Sequence, residues 1–133
     1  MTLSEMNRKD LIIHNTEKAF STQREVEFLI KNKYYSLALN RIYYGMFYII
    51  SAIAIKNGFS TSNHSQIIGW FNKNYVKEKK VDRKIGRMIY RAFEQRMKSD
   101  YNILHKFTLE DAKIGLSNLK EVIQSINELL NNE

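Results

Sequence analysis

The sequence predicts an all-α protein, a five-helix up-and-down bundle. Three observations lead there. Proline is absent and glycine occurs only five times in 133 residues, so the tight turns of a β-rich domain have few residues to build them. Apolar residues make up 44% of the chain and charged residues 26%, a balance that supports a packed core. Apolar positions also recur at helical spacing in five successive stretches separated by short polar breaks. The length suits one domain, residues 1–133, and is too short for two comfortable ones.

The first helix is expected from about Lys9 to Lys31, where Ile12, Thr16, Ala19, Phe20, Gln23, Val26 and Ile30 trace a mostly apolar stripe. Asn32-Lys33 is the break. The second runs from about Tyr34 to Lys56 and stops at Asn57-Gly58, because glycine accepts the left-handed conformation past a helix end. It is apolar nearly all round in its second half, which makes it the central helix. After the cap-rich turn Ser60-Thr61-Ser62-Asn63, a third helix spans His64 to about Val76 and carries Ile67, Ile68, Trp70, Phe71 and Tyr75. Lys77–Lys80 is a charged loop. Asp82 caps a fourth helix reaching about Tyr101. Thr108-Leu109-Glu110-Asp111 approximates a capping box and opens a fifth, whose apolar face is Ala112, Leu116, Leu119, Val122, Ile123, Ile126 and Leu130.

With no cysteine, disulfides, thiolate metal sites and cysteine nucleophiles are excluded, which fits a reducing cytoplasm. The polar stretch Met1 to Asp10 lacks the apolar core of a signal peptide. The longest uncharged apolar run, Ile42 to Ile55, is shorter than the roughly 20 residues a bilayer requires. The expectation is therefore a soluble, cytoplasmic protein with no membrane partner.

Charge is concentrated. Ten Lys or Arg and three acids lie between Lys73 and Lys98, so this stretch carries the whole net charge of +7. Such a stripe attracts the phosphates of RNA or DNA or an acidic protein; a plain solvated helix face reads the same way. On the fourth helix, at about 100° per residue from Ile85, residues Arg83, Lys84, Arg87, Arg91 and Lys98 fall between roughly 160° and 260°, the solvent side. They are the candidate residues for steering a nucleic acid. Arg96 falls near 20°, within the apolar arc, and Asp100 near 60°. A guanidinium placed on the buried side needs a partner. Two readings stay open: an Arg96–Asp100 ion pair that closes the bundle end, or a cleft where Arg96 meets a phosphate or a second subunit.

The second helix repeats the theme. Ala38, Arg41, Tyr44, Gly45, Tyr48 and Ala52 share helical spacing, so Arg41 lies among small and aromatic residues. Gly45, which costs about 1 kcal/mol relative to alanine, would let another helix approach closely. Arg41, Tyr44 and Arg96 together could hold a nucleotide by phosphate contacts and stacking, although tyrosines at this spacing also serve as core. The three histidines, His14, His64 and His105, have no metal-ligand spacing, and there is no phosphate-binding glycine loop or nucleophile elbow. No metal and no cofactor is expected.

Three blocks carry a resemblance. Ala38-Leu39-Asn40-Arg41-Ile42-Tyr43-Tyr44-Gly45-Met46-Phe47 resembles the second-helix motif of HEPN domains, A-x-x-R-x-Y-Y-A-x-F. Asn63-His64-Ser65, with Phe71 and Tyr75-Val76 beyond, resembles the next family block. Arg96 to Tyr101 resembles the R-x-x-x-D-Y ending of the fourth helix in one HEPN branch. The blocks span about Leu29 to Tyr101 in the family's order. The resemblance implies a five-helix bundle that frequently forms homodimers, with a cleft where the fourth helices of two subunits meet. It implies a metal-independent ribonuclease or a derived RNA- or nucleotide-binding module of a toxin–antitoxin or defence system, often paired with a small nucleotidyltransferase.

Active HEPN ribonucleases follow the arginine with a histidine after four to six residues. Here Tyr101, Asn102 and Ile103 stand in those places, and an aspartate beside an arginine is a poor general acid near neutrality. The preferred expectation is a binding module whose cleft is made by Arg96, Asp100 and Tyr101 and lined by Arg41 and Tyr44. The first alternative is a ribonuclease toxin with Arg96 and Asp100 as catalytic candidates and His64 or His105 supplying the imidazole. The second is a purely structural helical dimer. Because some HEPN toxins are silenced by nucleotidylation of a tyrosine, Tyr101 is also a candidate for modification.

Overall fold

The computed structural model describes residues 3–102 and 104–132. Ile103, one of the positions compared with the family histidine, lies outside the described residues, as do Met1 and Thr2 of the N-terminal stretch. The order is α1 (Leu3–Lys31), α2 (Tyr35–Lys56), α3 (His64–Phe71) continued by a π-helical turn (Asn72–Val76), α4 (Arg83–Tyr101) and α5 (Leu109–Asn132). The described residues contain no strand. The fold is the all-α bundle that the periodicity predicts. One boundary moves: α1 begins well before Lys9. No proline or glycine precedes Lys9 to stop a helix, and the exposed residues 7–10 carry no apolar stripe to announce it.

The helix ends follow local chemistry. The Asn63 side chain accepts the Gln66 N–H at the start of α3, and Asp82 accepts the Lys84 N–H at the start of α4. At α5 the Thr108 hydroxyl accepts the Asp111 N–H, while Asp111 accepts the Thr108 N–H in return; this is the capping box, closed by aspartate. Three segments stop in the same way. At Lys33, Gly58 and Lys79 the backbone turns left-handed, with φ of 65°, 78° and 59°. The next residue's N–H then reaches back to the carbonyl five positions earlier, as in Tyr34 to Leu29, Phe59 to Ala54 and Lys80 to Tyr75. That is the Schellman arrangement.

α2 touches all four other helices and forms the axis of the bundle. By length and composition alone it is apolar enough to cross a bilayer, but 67% of its most apolar stretch is buried inside the protein. It is the core helix of the bundle. Leu39, Ile42, Met46, Ile49, Ile50 and Ile53 pack against Ile67 and Phe71, Ile85 and Ile89, and Leu119, Val122, Ile123 and Ile126. Two glycines bring α2 and α5 together. A Cβ on Gly45 would stand 2.8 Å from Leu119 Cδ1, and one on Gly115 would stand 2.7 Å from Ile42 Cδ1. α4 lies on the other side of α2 from α1, and these two helices share no contacts among the described residues.

Candidate functional site

α4 buries Ile85, Ile89 and Ala92 against α2, and one more step along the same face carries Arg96. Its side chain is only 22% exposed. The guanidinium carbon lies 5.2 Å from the Tyr43 ring centre and 5.3 Å from that of Tyr44, within cation–π range of both. Nε stands 3.1 Å from Asp100 Oδ2, close enough for an ion pair. The approach is off the line a hydrogen bond requires, so this buried N–H has no hydrogen-bond partner among the described residues. Asn40 of α2 donates to the other Asp100 oxygen at 3.3 Å, holding the carboxylate at the seam between α2 and α4.

α3 brings the imidazole. With Asn63 as cap, His64 is the first residue of the helix, and its ring stacks on Phe47 at 3.9 Å. His64 Nδ1 is hydrogen-bonded to the Tyr43 hydroxyl at 2.9 Å, a contact either tautomer can make. Burial holds this imidazole below its ordinary pKa, and the Arg96 charge pushes the same way. Burial also pushes the Tyr43 hydroxyl up to about 12, against the lowering effect of Arg96. The cluster Arg96–Tyr43–Tyr44–His64 thus joins α2, α3 and α4, with one permanent cation and one imidazole that stays neutral at neutral pH.

The other sequence candidates divide. Arg41 bonds to Glu25 of α1 at 2.8 Å and lies 5.2 Å from the Tyr44 ring centre, so Tyr44 is in reach of both guanidinium groups. Tyr101 projects outward from the last turn of α4, 78% exposed, and among the described residues it forms no hydrogen bond or ring contact with the cluster. His105 packs edge-on against Phe107 and faces the start of α2, in a depression with Tyr34 and Leu37; no contact joins it to Arg96. His14 is exposed on α1. Arg83, Lys84, Arg87, Arg91 and Lys98 are all exposed, and Lys84 is engaged by Glu121 at 3.0 Å. Among the described residues no group of His, Asp and Glu could hold a metal ion.

Sequence reasoning placed Arg96 and Tyr44 together but missed Tyr43 beside Arg96, Asn40 beside Asp100, Phe47 beside His64 and Glu25 beside Arg41. Tyr43 stands inside the second-helix motif, and its one-residue offset from Tyr44 was the available signal. Nothing local ties Glu25 to Arg41 or His64 to Tyr43. Chemically, an incompletely bonded guanidinium beside two tyrosine rings and a neutral imidazole can receive a phosphate, stack a base and exchange a proton.

Residues 15–129 match the HEPN domain family, and the chain belongs to it. Relatives agree. The chain is 34% identical over 126 residues to a "UPF0332 protein" of Thermotoga maritima, a match covering 94% of this chain and 96% of that protein. It is 29% identical to "Putative toxin MJ0142" of Methanocaldococcus jannaschii, over 73% of this chain and 66% of the relative. A second protein of that organism, "Putative toxin MJ0605", is 28% identical over 77% of this chain and 75% of its own length.

Proposed function

We propose that this protein is a toxin-like HEPN module that binds the phosphates of RNA or a nucleotide at the Arg96–Tyr43–Tyr44–His64 cluster. One observation carries the reading: a mostly buried arginine whose Nε–H has no hydrogen bond, although a carboxylate stands 3.1 Å away. Leaving a buried donor unsatisfied costs about 1–3 kcal/mol, so a guanidinium kept in this state beside two tyrosine rings fits a group retained for a ligand. Tyr44, half-buried and facing both guanidinium groups, supplies a stacking surface. The names of the two Methanocaldococcus relatives support the toxin-like assignment. The family resemblance supports a homodimer and a small nucleotidyltransferase partner, with Met97 and Tyr101, exposed on α4, available to a second copy. The test is the affinity of a labelled oligoribonucleotide for the wild type and for Arg96→Ala. A loss of tenfold or more with the helical signal intact is expected; unchanged affinity refutes the assignment.

A second reading has its own observation. His64 and Arg96 both pack on Tyr43 within one subunit, which supports α3 as the source of the imidazole absent from α4. With its proton on Nδ1, facing the Tyr43 oxygen, His64 would accept the ribose 2′-hydroxyl proton at Nε2. The 2′-oxygen then attacks phosphorus, Arg96 stabilises the charge on the phosphoryl oxygens, and the 5′-oxygen leaves with a proton from water. The products are a 2′,3′-cyclic phosphate and a 5′-hydroxyl. Cleavage of RNA but not of its 2′-deoxy analogue, abolished by His64→Gln, is the expected result. Cleavage that survives His64→Gln contradicts this version.

A further inference from the structure

We infer that the groove between the π turn after α3 and the first half of α4 is a second binding surface, one that takes the backbone of single-stranded RNA. Two adjoining depressions, of about 670 and 610 Å³, share Asn72, Val76 and Arg83. Lys73, Lys77 and Lys79 line the first, and Arg87, Tyr90, Arg91 and Glu94 line the second. Together with Arg83 that is six cations against one carboxylate. Lys84, by contrast, belongs to a different depression and is tied to Glu121. Among the described residues no ion pair engages any of the six. Here the charge borders a shallow, open trough between two elements rather than the ridge of one helix.

The floor of the trough is built for close approach. A Cβ on Gly86 would stand 3.3 Å from both Val76 methyl groups and 3.5 Å from Asn72 Oδ1, so α4 lies tightly against the π turn. Lys79, left-handed at φ 59°, reverses the chain and keeps Lys77 and Lys79 beside the start of α4. A row of cations along a groove tracks a polyanion. Tyr90, 61% exposed on the wall, decides which kind: an accessible ring stacks on an unpaired base, whereas the bases of a duplex are already stacked on each other. Arg87 and Arg91 point well over a quarter-turn away from Arg96 at about 100° per residue, so this surface is separate from the cluster. The inference rests on the RNA reading above only for the identity of the polyanion.

The experiment measures binding of labelled oligouridine, and of an RNA duplex of equal length, across a range of salt concentrations. The proteins are the wild type, the triple variant Lys77→Ala/Arg83→Ala/Arg87→Ala, Tyr90→Ala and Arg96→Ala, each checked for unchanged helicity. The triple variant should bind at least tenfold more weakly, with a log–log salt slope shallower by about two, since each single-strand phosphate contact contributes about 0.7. Tyr90→Ala should lose about fivefold or more on oligouridine and little on duplex. A triple variant with unchanged affinity and slope overturns the groove. If only Arg96→Ala weakens binding, the groove fails and the cluster stands; if only the groove variants do, the cluster fails. Duplex binding equal to single-strand binding, with Tyr90→Ala neutral, overturns the single-strand assignment. Absence of any RNA binding by the wild type overturns both.

Discussion

If Arg96 is kept for a ligand, removing it should cost the fold little. Arg96→Ala gives up two cation–π contacts, about 0.5–1 kcal/mol each where solvent is near, and an i,i+4 ion pair of about 0.3–0.5 kcal/mol. It also removes a buried N–H without a hydrogen bond, which relieves about 1–3 kcal/mol. The side chain reaches solvent, so water can fill the space left behind. The sum lies within about 1.7 kcal/mol of zero in either direction, or at most about 5–8 °C in melting temperature for a chain of this size. Ile89 shares that face of α4 and is 1% exposed. Ile89→Ala should cost about 2–5 kcal/mol. Thermal denaturation followed by far-ultraviolet circular dichroism compares the two variants directly. A loss for Arg96→Ala as large as that for Ile89→Ala would refute the reasoning, since Arg96 would then be a structural pillar of the α2–α4 seam.

Three further outcomes are expected. Tyr43→Phe removes the hydroxyl bonded to His64 Nδ1 at 2.9 Å and should cost about 0.5–1.5 kcal/mol; no change in melting temperature would mean the bond contributes nothing. His64 is held below its ordinary pKa by burial and then by Arg96, so the unfolded chain takes up a proton at higher pH than the folded one. Stability should therefore fall as pH drops from about 7 through the folded-state value. This slope should flatten in His64→Phe and shrink in Arg96→Ala, and identical slopes in all three proteins would contradict the assignment. Gly115→Ala places a methyl 2.7 Å from Ile42 Cδ1, an overpacking cost of about 1–3 kcal/mol that exceeds the helix-propensity gain of about 1 kcal/mol. Ile42→Val in the same chain should recover part of the loss, and strict additivity in the double-mutant cycle would exclude the clash.

Much of the fold was legible because its determinants are local. Asn63, Asp82 and the Thr108–Asp111 pair each act within three residues, and the apolar spacing of α4 and α5 places their buried faces directly. Gly58 announced the end of α2. The stops at Lys33 and Lys79 were readable only as polar breaks, because lysine carries no left-handed signature and tertiary packing imposes the conformation. The start of α1 was hidden for the opposite reason: the exposed residues 7–10 carry no apolar stripe. The inward direction of Arg96 followed from helical arithmetic, as did the presence of Asp100 one turn away. The neighbours of Arg96 did not. His64 reaches Tyr43 across 21 positions and Arg41 reaches Glu25 across 16, and only the packing of α2 against α1, α3 and α4 creates those pairs. Tyr101, grouped with Arg96 by motif, points outward because five residues at about 100° each leave it roughly 140° around the helix from Arg96.

The most direct test is nuclear magnetic resonance of the His64 ring while oligouridine is added, with His14 and His105 as internal references. The His64 signals should shift in the wild type and stay in place in Arg96→Ala, with the other two imidazoles indifferent throughout. RNA binding that leaves His64 unmoved, or moves it equally without Arg96, would contradict the claim that this cluster is where phosphate is received.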